Sequence, residues 1–196
     1  MNISDLEKIL LDAGFPKLFM YGERSLSGEI WNDQKNEDLL KKLLASDTAS
    51  DHARFLAAEV LRVHGAFFNE PGAGKLAEIY AGALKNTSEG SGNPYQLSGN
   101  LWGFLYESDD AGPLGEQLIN SGKAAIPVLI NLLNDDNPVL YEGSQEATLG
   151  NEYQYRIKDF AAFYISKIKN IPVKFYQDIN DRDKEIERLK NIMINT

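Results

Sequence analysis

The apolar positions of this chain recur mostly at helical spacing. In 36–45, "NEDLLKKLLA", Leu39, Leu40, Leu43 and Leu44 form one stripe. "TASDHARFLAAEVLRVHG" follows, with Thr48 and Asp51 at capping-box spacing. Its apolar side carries Leu56, Val60 and Val63 with Ala53, Ala57 and Leu61, and Gly65 closes it. So short a connection, Ala45 to Thr48, predicts two antiparallel neighbours. "GKLAEIYAGALKN" repeats the pattern through Leu76, Ile79, Tyr80, Ala83 and Leu84, and "TSEGSGN" interrupts it.

In "NPYQLSGNLWGFLYE", Asn93 suits an N-cap and Pro94 a first helical position. Leu97, Leu101, Phe104 and Leu105 then line one face. Gly99 and Gly103 weaken that helix but leave a groove for a ring or a backbone. A short helix is predicted from Pro113 to Ser121, and another with Ile126, Leu129, Ile130 and Leu133 on its stripe. The clearest is "YRIKDFAAFYISKIKN", where Ile157, Phe160, Ala161, Tyr164, Ile165 and Ile168 share a face and Pro172 ends it. "DINDRDKEIERLKNIM" gives a last amphipathic helix with acids first and Lys190 near its end. Extended pairs are conceivable only at 19–31 and between "VLYEG" and "NEYQY". The pattern predicts an all-α fold in one domain, 1–196. It divides into a helix and irregular lead-in (1–35), a helix pair (36–65), a divergent helical segment (66–122), a second pair (123–170) and a terminal helix (178–196).

The second pair carries an insertion at 140–155. Helices meant to pack on each other are usually joined by about two to eight residues, and "YEGSQEATLGNEYQY" is longer than that. The two pairs otherwise share a plan: an apolar helix ending in Leu-Leu, an aspartate in the turn, and an arginine early in the second helix. This resembles the HEAT-like repeats, on Pro127, Asp135 and Arg156 in the second pair and on Asp47 and Arg54 in the first. The string 141–164 also resembles a small group of bacterial HEAT-like proteins, from which no activity is carried over. The resemblance covers 39–63 and 123–169. It implies a short α-solenoid, a right-handed stack of antiparallel helix pairs, with Arg156 directed at Asp135. An insertion between the helices of such a unit lies on one face, often the binding face.

Composition narrows the function. Against 20 Lys and Arg stand 29 Asp and Glu, a formal charge of −9, which repels a phosphate backbone. That disfavours the nucleic-acid binding of HEAT-like DNA glycosylases. Without cysteine, disulfides, thiolate catalysis and Cys-based zinc sites are excluded. The start lacks a basic segment ahead of an apolar one, and "AAIPVLI" is too short to span a bilayer. A soluble, cytoplasmic chain is the expectation, and a periplasmic one requires a leader outside this sequence.

Candidate chemistry is sparse. "EPGAGKLAE" fails as a phosphate loop, with Asn69 and Leu76 where Gly and Ser or Thr are needed. His52 and His64 lack metal-ligand spacing; they read as a surface residue and as a cation at a helix end. The acids at 107–110, 134–136 and 178–185 suit helix caps better than calcium. Glu142, Glu146 and Glu152 can supply paired carboxylates, and with Tyr153 and Tyr155 they are the candidates for a hydrolase or lyase. Their bland role is to cap amides or pair with Arg156. Lys158, Lys167 and Lys169 border the apolar stripe of their helix, where basic side chains snorkel. Tyr141, Tyr153, Tyr155 and Trp102 suit anchors for a partner, the three tyrosines with rings on the flanking helices and hydroxyls outward. The leading expectation is a non-catalytic protein-interaction module, with a protein partner, no cofactor and no membrane.

Overall fold

The computed structural model describes residues 1–20, 22, 25–66, 72–87, 94–104 and 110–194, without the side chains of 144, 146, 149 and 151. The described residues are all-α and contain no β-strand; one isolated bridge joins Pro138 to Arg156. Among the described residues are nine helices of seven residues or more: α1 (Ile3–Phe15), α3 (Glu37–Ala45), α4 (Asp51–Val63), α5 (Ala73–Asn86), α6 (Gly112–Asn120), α7 (Ile126–Leu132), α8 (Ser144–Tyr153), α9 (Ile157–Lys169) and α10 (Ile179–Ile194). A single short turn, α2 (Ser27–Trp31), precedes α3.

Packing follows chain order. α1 rests on α3 and α4, α4 on α5, and α5 on both α6 and α7. α9 covers α6 and α7, and α10 lies against α9. The two expected pairs, α3 with α4 and α7 with α9, are each in contact.

Local chemistry explains the helix starts. At α1, the Asn2 and Asp5 side chains each accept the other's backbone N–H, at 2.9 and 3.2 Å, which satisfies two donors left over at a helix start. The cap of α4 is not Thr48 but Ser50, whose hydroxyl accepts the Ala53 N–H at 3.2 Å. Thr48 instead meets the Ser46 hydroxyl. Residues 19–31 form no extended pair among those described: a π-turn at Pro16–Met20 and α2 occupy the segment.

Among the described residues 94–104, the helix expected from Asn93 does not form. Asn93 lies outside the described residues, and the chain makes only a 3₁₀ turn, Gly99–Leu101, before Gly103 (φ +82°) and Phe104 (φ +65°). The glycine groove is nonetheless used. A Cβ on Gly103 would sit 2.3 Å from the Asp110 carbonyl oxygen, so only glycine allows these two backbones to meet. Trp102 is thereby driven into the core, fully buried, and its indole donates to the Thr87 hydroxyl at 2.8 Å. Tyr164 of α9 closes the same region, donating to the Trp102 carbonyl at 2.7 Å.

Candidate functional site

The segment 140–155 is not a loop. It contains the ten-residue helix α8, entered through Gly143 (φ +88°) and left through Gln154 (φ +51°). Tyr141 anchors its entrance. The ring packs so closely on Gly99 and Gly150 that a Cβ on either would lie within 2.9 Å of it. Around it the Leu140 carbonyl accepts the Gly99 N–H at 2.6 Å, and the Asn100 amide pairs with both polar atoms of the Glu142 backbone. The Tyr141 hydroxyl turns inward to the Gly103 carbonyl at 3.4 Å, not outward as expected. Burial pushes that phenol's pKa far up.

The exit of α8 is held by charge. Arg156, at the N-cap of α9, grips the fully buried Asp159 through Nε and Nη2, both at 3.1 Å. It also reaches Asp183 of α10 at 2.8 Å and Asp136 at 3.4 Å. Lys158 does not simply snorkel: its ammonium bridges Asp136 at 2.6 Å and Asp183 at 2.9 Å. Burial raises the pKa of Asp183, but the bonds from Arg156 and Lys158 outweigh it and leave the carboxyl below its ordinary range. Arg182 of α10, fully buried, donates to the carbonyls of Tyr153 at 2.6 Å and Tyr176 at 3.0 Å. Its guanidinium also lies 5.1 Å from the centre of the Tyr155 ring.

The expected Arg156–Asp135 pair is therefore absent. Asp135 accepts the Asn137 N–H and amide, capping its own turn, and Arg156 takes the carboxylates of Asp136, Asp159 and Asp183. In the first pair, Arg54 bonds to Asp51 and not to Asp47, which is exposed. Each arginine takes an acid three residues away in sequence, and Arg156 adds Asp136 and Asp183 while Asp135 is held by its own turn.

Between these anchors lies an aromatic cleft of about 560 Å³. Phe104 is its hub, with ring centroids of Tyr155 at 4.3 Å, Phe175 at 4.4 Å and Phe163 at 4.9 Å. The left-handed backbone at Phe104 aims the ring there. Tyr153 stacks on Tyr155 at 5.2 Å and is the half-buried member of the pair. The end of α9 and the segment after it form the opposite wall, where Ile171, Val173 and Phe175 alternate with the exposed Pro172 and Lys174. Two ammonium groups belong to this wall. Lys167 lies 5.3 Å from the Phe163 ring centre and Lys174 4.4 Å from that of Tyr176. An apolar floor beside two cations suits an apolar side chain next to a carboxylate.

Of the residues selected from sequence, the fold brings Tyr153 and Tyr155 together in this cleft and keeps Tyr141 and Trp102 as buried supports. Glu142 is exposed, and exposed Glu152 accepts the Gln177 amide at 2.5 Å. The side chain of Glu146 lies outside the description. Among the described residues no group of three or more His, Asp or Glu side chains is arranged to hold a metal ion, and no helix is long and apolar enough to cross a membrane. His52 is not a plain surface residue: its ring stacks on Tyr95 at 4.3 Å, and burial lowers its pKa. His64 stacks on Trp31 at 5.2 Å.

Sequence reasoning missed Arg182 and Asp159, and it read Phe104 as part of a helix face rather than as the hub of a cleft. Arg182 had a usable signal, because it precedes Ile186 and Leu189 at the spacing of the apolar face of α10. Compared with protein-family models, curated proteins and solved structures, the chain matches none of them.

Proposed function

We propose that this chain is a non-catalytic interaction module built from HEAT-like helix pairs, and that the aromatic cleft beside α8 and α9 holds a segment of a partner polypeptide. The observation that carries the reading is the cleft itself: five aromatic rings with two lysines in the wall. Aromatic anchors in a preformed hollow are the usual seat of interface energy. The Arg156 and Arg182 networks support it, since they tie α8, α9 and α10 together and keep the walls from collapsing. Preformed walls reduce the ordering cost of association. Contact within the pairs α3–α4 and α7–α9 is what the solenoid reading expects. The arginine and aspartate pattern contributes less, because its pairing is made with other acids.

The partner segment fitted by this chemistry has a large apolar side chain flanked by an acidic one. Affinity capture from a native extract tests the reading, comparing the wild-type chain with Tyr153→Ala and Lys174→Glu. Both positions are partly or fully exposed, so both variants keep the fold. A partner held by the wild type and lost by both supports the cleft. A partner retained by both variants rejects it.

A further inference from the structure

A second site is indicated where α4, α5 and α6 meet. Glu59 of α4 is fully buried, and its carboxylate accepts from the Tyr80 hydroxyl at 2.5 Å and from Arg62 Nε and Nη2, both at 2.8 Å. The two carboxylate oxygens thus occupy one side edge of the guanidinium, a fork that fixes its plane. Burying such a pair is costly, and an apolar side chain of similar volume would pack α4 on α5 at least as well. What the pair supplies is a fixed arginine.

That arginine faces a hollow. A cleft of about 400 Å³ is lined by Arg62 and Tyr80, with Ala66, Leu76, Gln117 and Asn120 among the other walls. A hollow of this size is in the range of small-molecule sites. The Arg62 side chain keeps 32% of its surface exposed. Besides the Glu59 carboxylate and the neighbouring Tyr80 hydroxyl, Arg62 has no described partner, and its end edge, Nη1 with the second Nη2 hydrogen, has the geometry to fork a second carboxylate.

We propose that this cleft binds a small monocarboxylate with a short apolar chain, anchored by the end edge of Arg62, with Glu59 and Tyr80 as positioning residues. Ala66 and Leu76 take the chain, and the Gln117 and Asn120 amides meet the remaining lone pairs of the carboxylate. The Glu59 charge cancels the long-range field of Arg62, so recognition rests on fork geometry rather than on net charge. Compact polyanions gain nothing from such a site.

The test is a titration of the full ¹⁵N-labelled chain with hexanoate, followed by its Arg62 Nε–H signal and the amides of 117–121. Hexanamide and inorganic phosphate are the controls. Saturable shifts with hexanoate and none with either control are expected. Arg62→Lys keeps the charge without the fork and weakens hexanoate binding roughly tenfold or more. Ala73→Trp, at an exposed position lining the cleft, fills the hollow and abolishes binding without touching the core. N-acetylleucine binding more tightly than hexanoate assigns the carboxylate to a peptide terminus; weaker binding assigns it to a free acid. The proposal is overturned if hexanoate shifts do not saturate, if hexanamide matches hexanoate, or if the Ala73→Trp chain binds like the wild type.

Discussion

Gly150 lies against the ring of Tyr141 so closely that a Cβ would stand 2.4 Å from Cδ2. This contact sets the sign of a substitution. Within an ordinary helix, glycine to alanine stabilises by about 0.5–1 kcal/mol. Here the new methyl group meets a buried ring that Gly99 and the Gly103 carbonyl prevent from retreating. Gly150→Ala is expected to lower stability by about 1–3 kcal/mol, the usual cost of overpacking. Urea unfolding decides it, and a stabilised variant would mean that the ring is free to move.

Arg156 gives a graded series. Asp159 is fully buried, whereas the side chains of Asp183 and Asp136 keep 40% and 70% of their surface exposed. Arg156→Ala removes the guanidinium and leaves the buried carboxylate only the backbone N–H of residue 156 at 2.9 Å and Arg182 Nε at 3.5 Å, and is expected to cost about 3–5 kcal/mol. Asp136→Ala removes an exposed partner and should cost less than about 1 kcal/mol. Equal losses in the two variants would show that the buried pair has no special weight.

The pH dependence has two windows. Burial lowers the pKa of His52 below its reference value of 6.5. The folded state therefore binds fewer protons there than the unfolded chain does. The contribution is fully present above pH 6.5 and is lost as the pH falls through the folded value. Asp183 is likewise depressed from 3.8, so its contribution fades below pH 3.8. Stability measured by urea unfolding from pH 7.5 downward should decline first in the histidine window. His52→Phe should flatten that step and leave the acid one; an unchanged step would assign it elsewhere.

These relationships mark what the sequence makes legible. The periodic helices α3, α4, α5 and α9 were readable because their buried sides are apolar except for Glu59 in α4 and Asp159 in α9. The stretch around Gly99 and Gly103 was misread as a helix because its spacing allowed one. What decides the matter is the Gly103 backbone lying against 110–112, a tertiary contact invisible to a local pattern. α8 was hidden for the opposite reason: its described side chains are mostly polar, so no stripe announced it. Arg182 was hidden by its charge, since its helical position says core and its chemistry says surface. Its carbonyl partners at 153–154 and 176–177 resolve the conflict, and they are distant in sequence or belong to irregular backbone. Tyr153 and Tyr155 were found by residue type alone. Phe104, which organises the cleft around them, depended on an unforeseen left-handed residue.

Replacing 142–152 with a short Gly/Ser turn tests whether α8 serves the fold or the cleft. The substitution removes Gly150 from the ring of Tyr141 and the bonds between Asn100 and Glu142, so stability should fall. Tyr153 and Gln154 remain, and with them the carbonyls that receive Arg182. α9 and α10 should therefore stay docked, and the far-UV spectrum should lose no more helix than α8 itself. Tyr153 loses the helix that sets its position, however, and its stacking on Tyr155 at 5.2 Å depends on that setting. Any partner captured through the cleft should then be released while the rest of the chain stays helical. Retained capture would show that the Tyr155 side of the cleft suffices, and collapse of the helical spectrum would show that α8 is part of the fold's foundation.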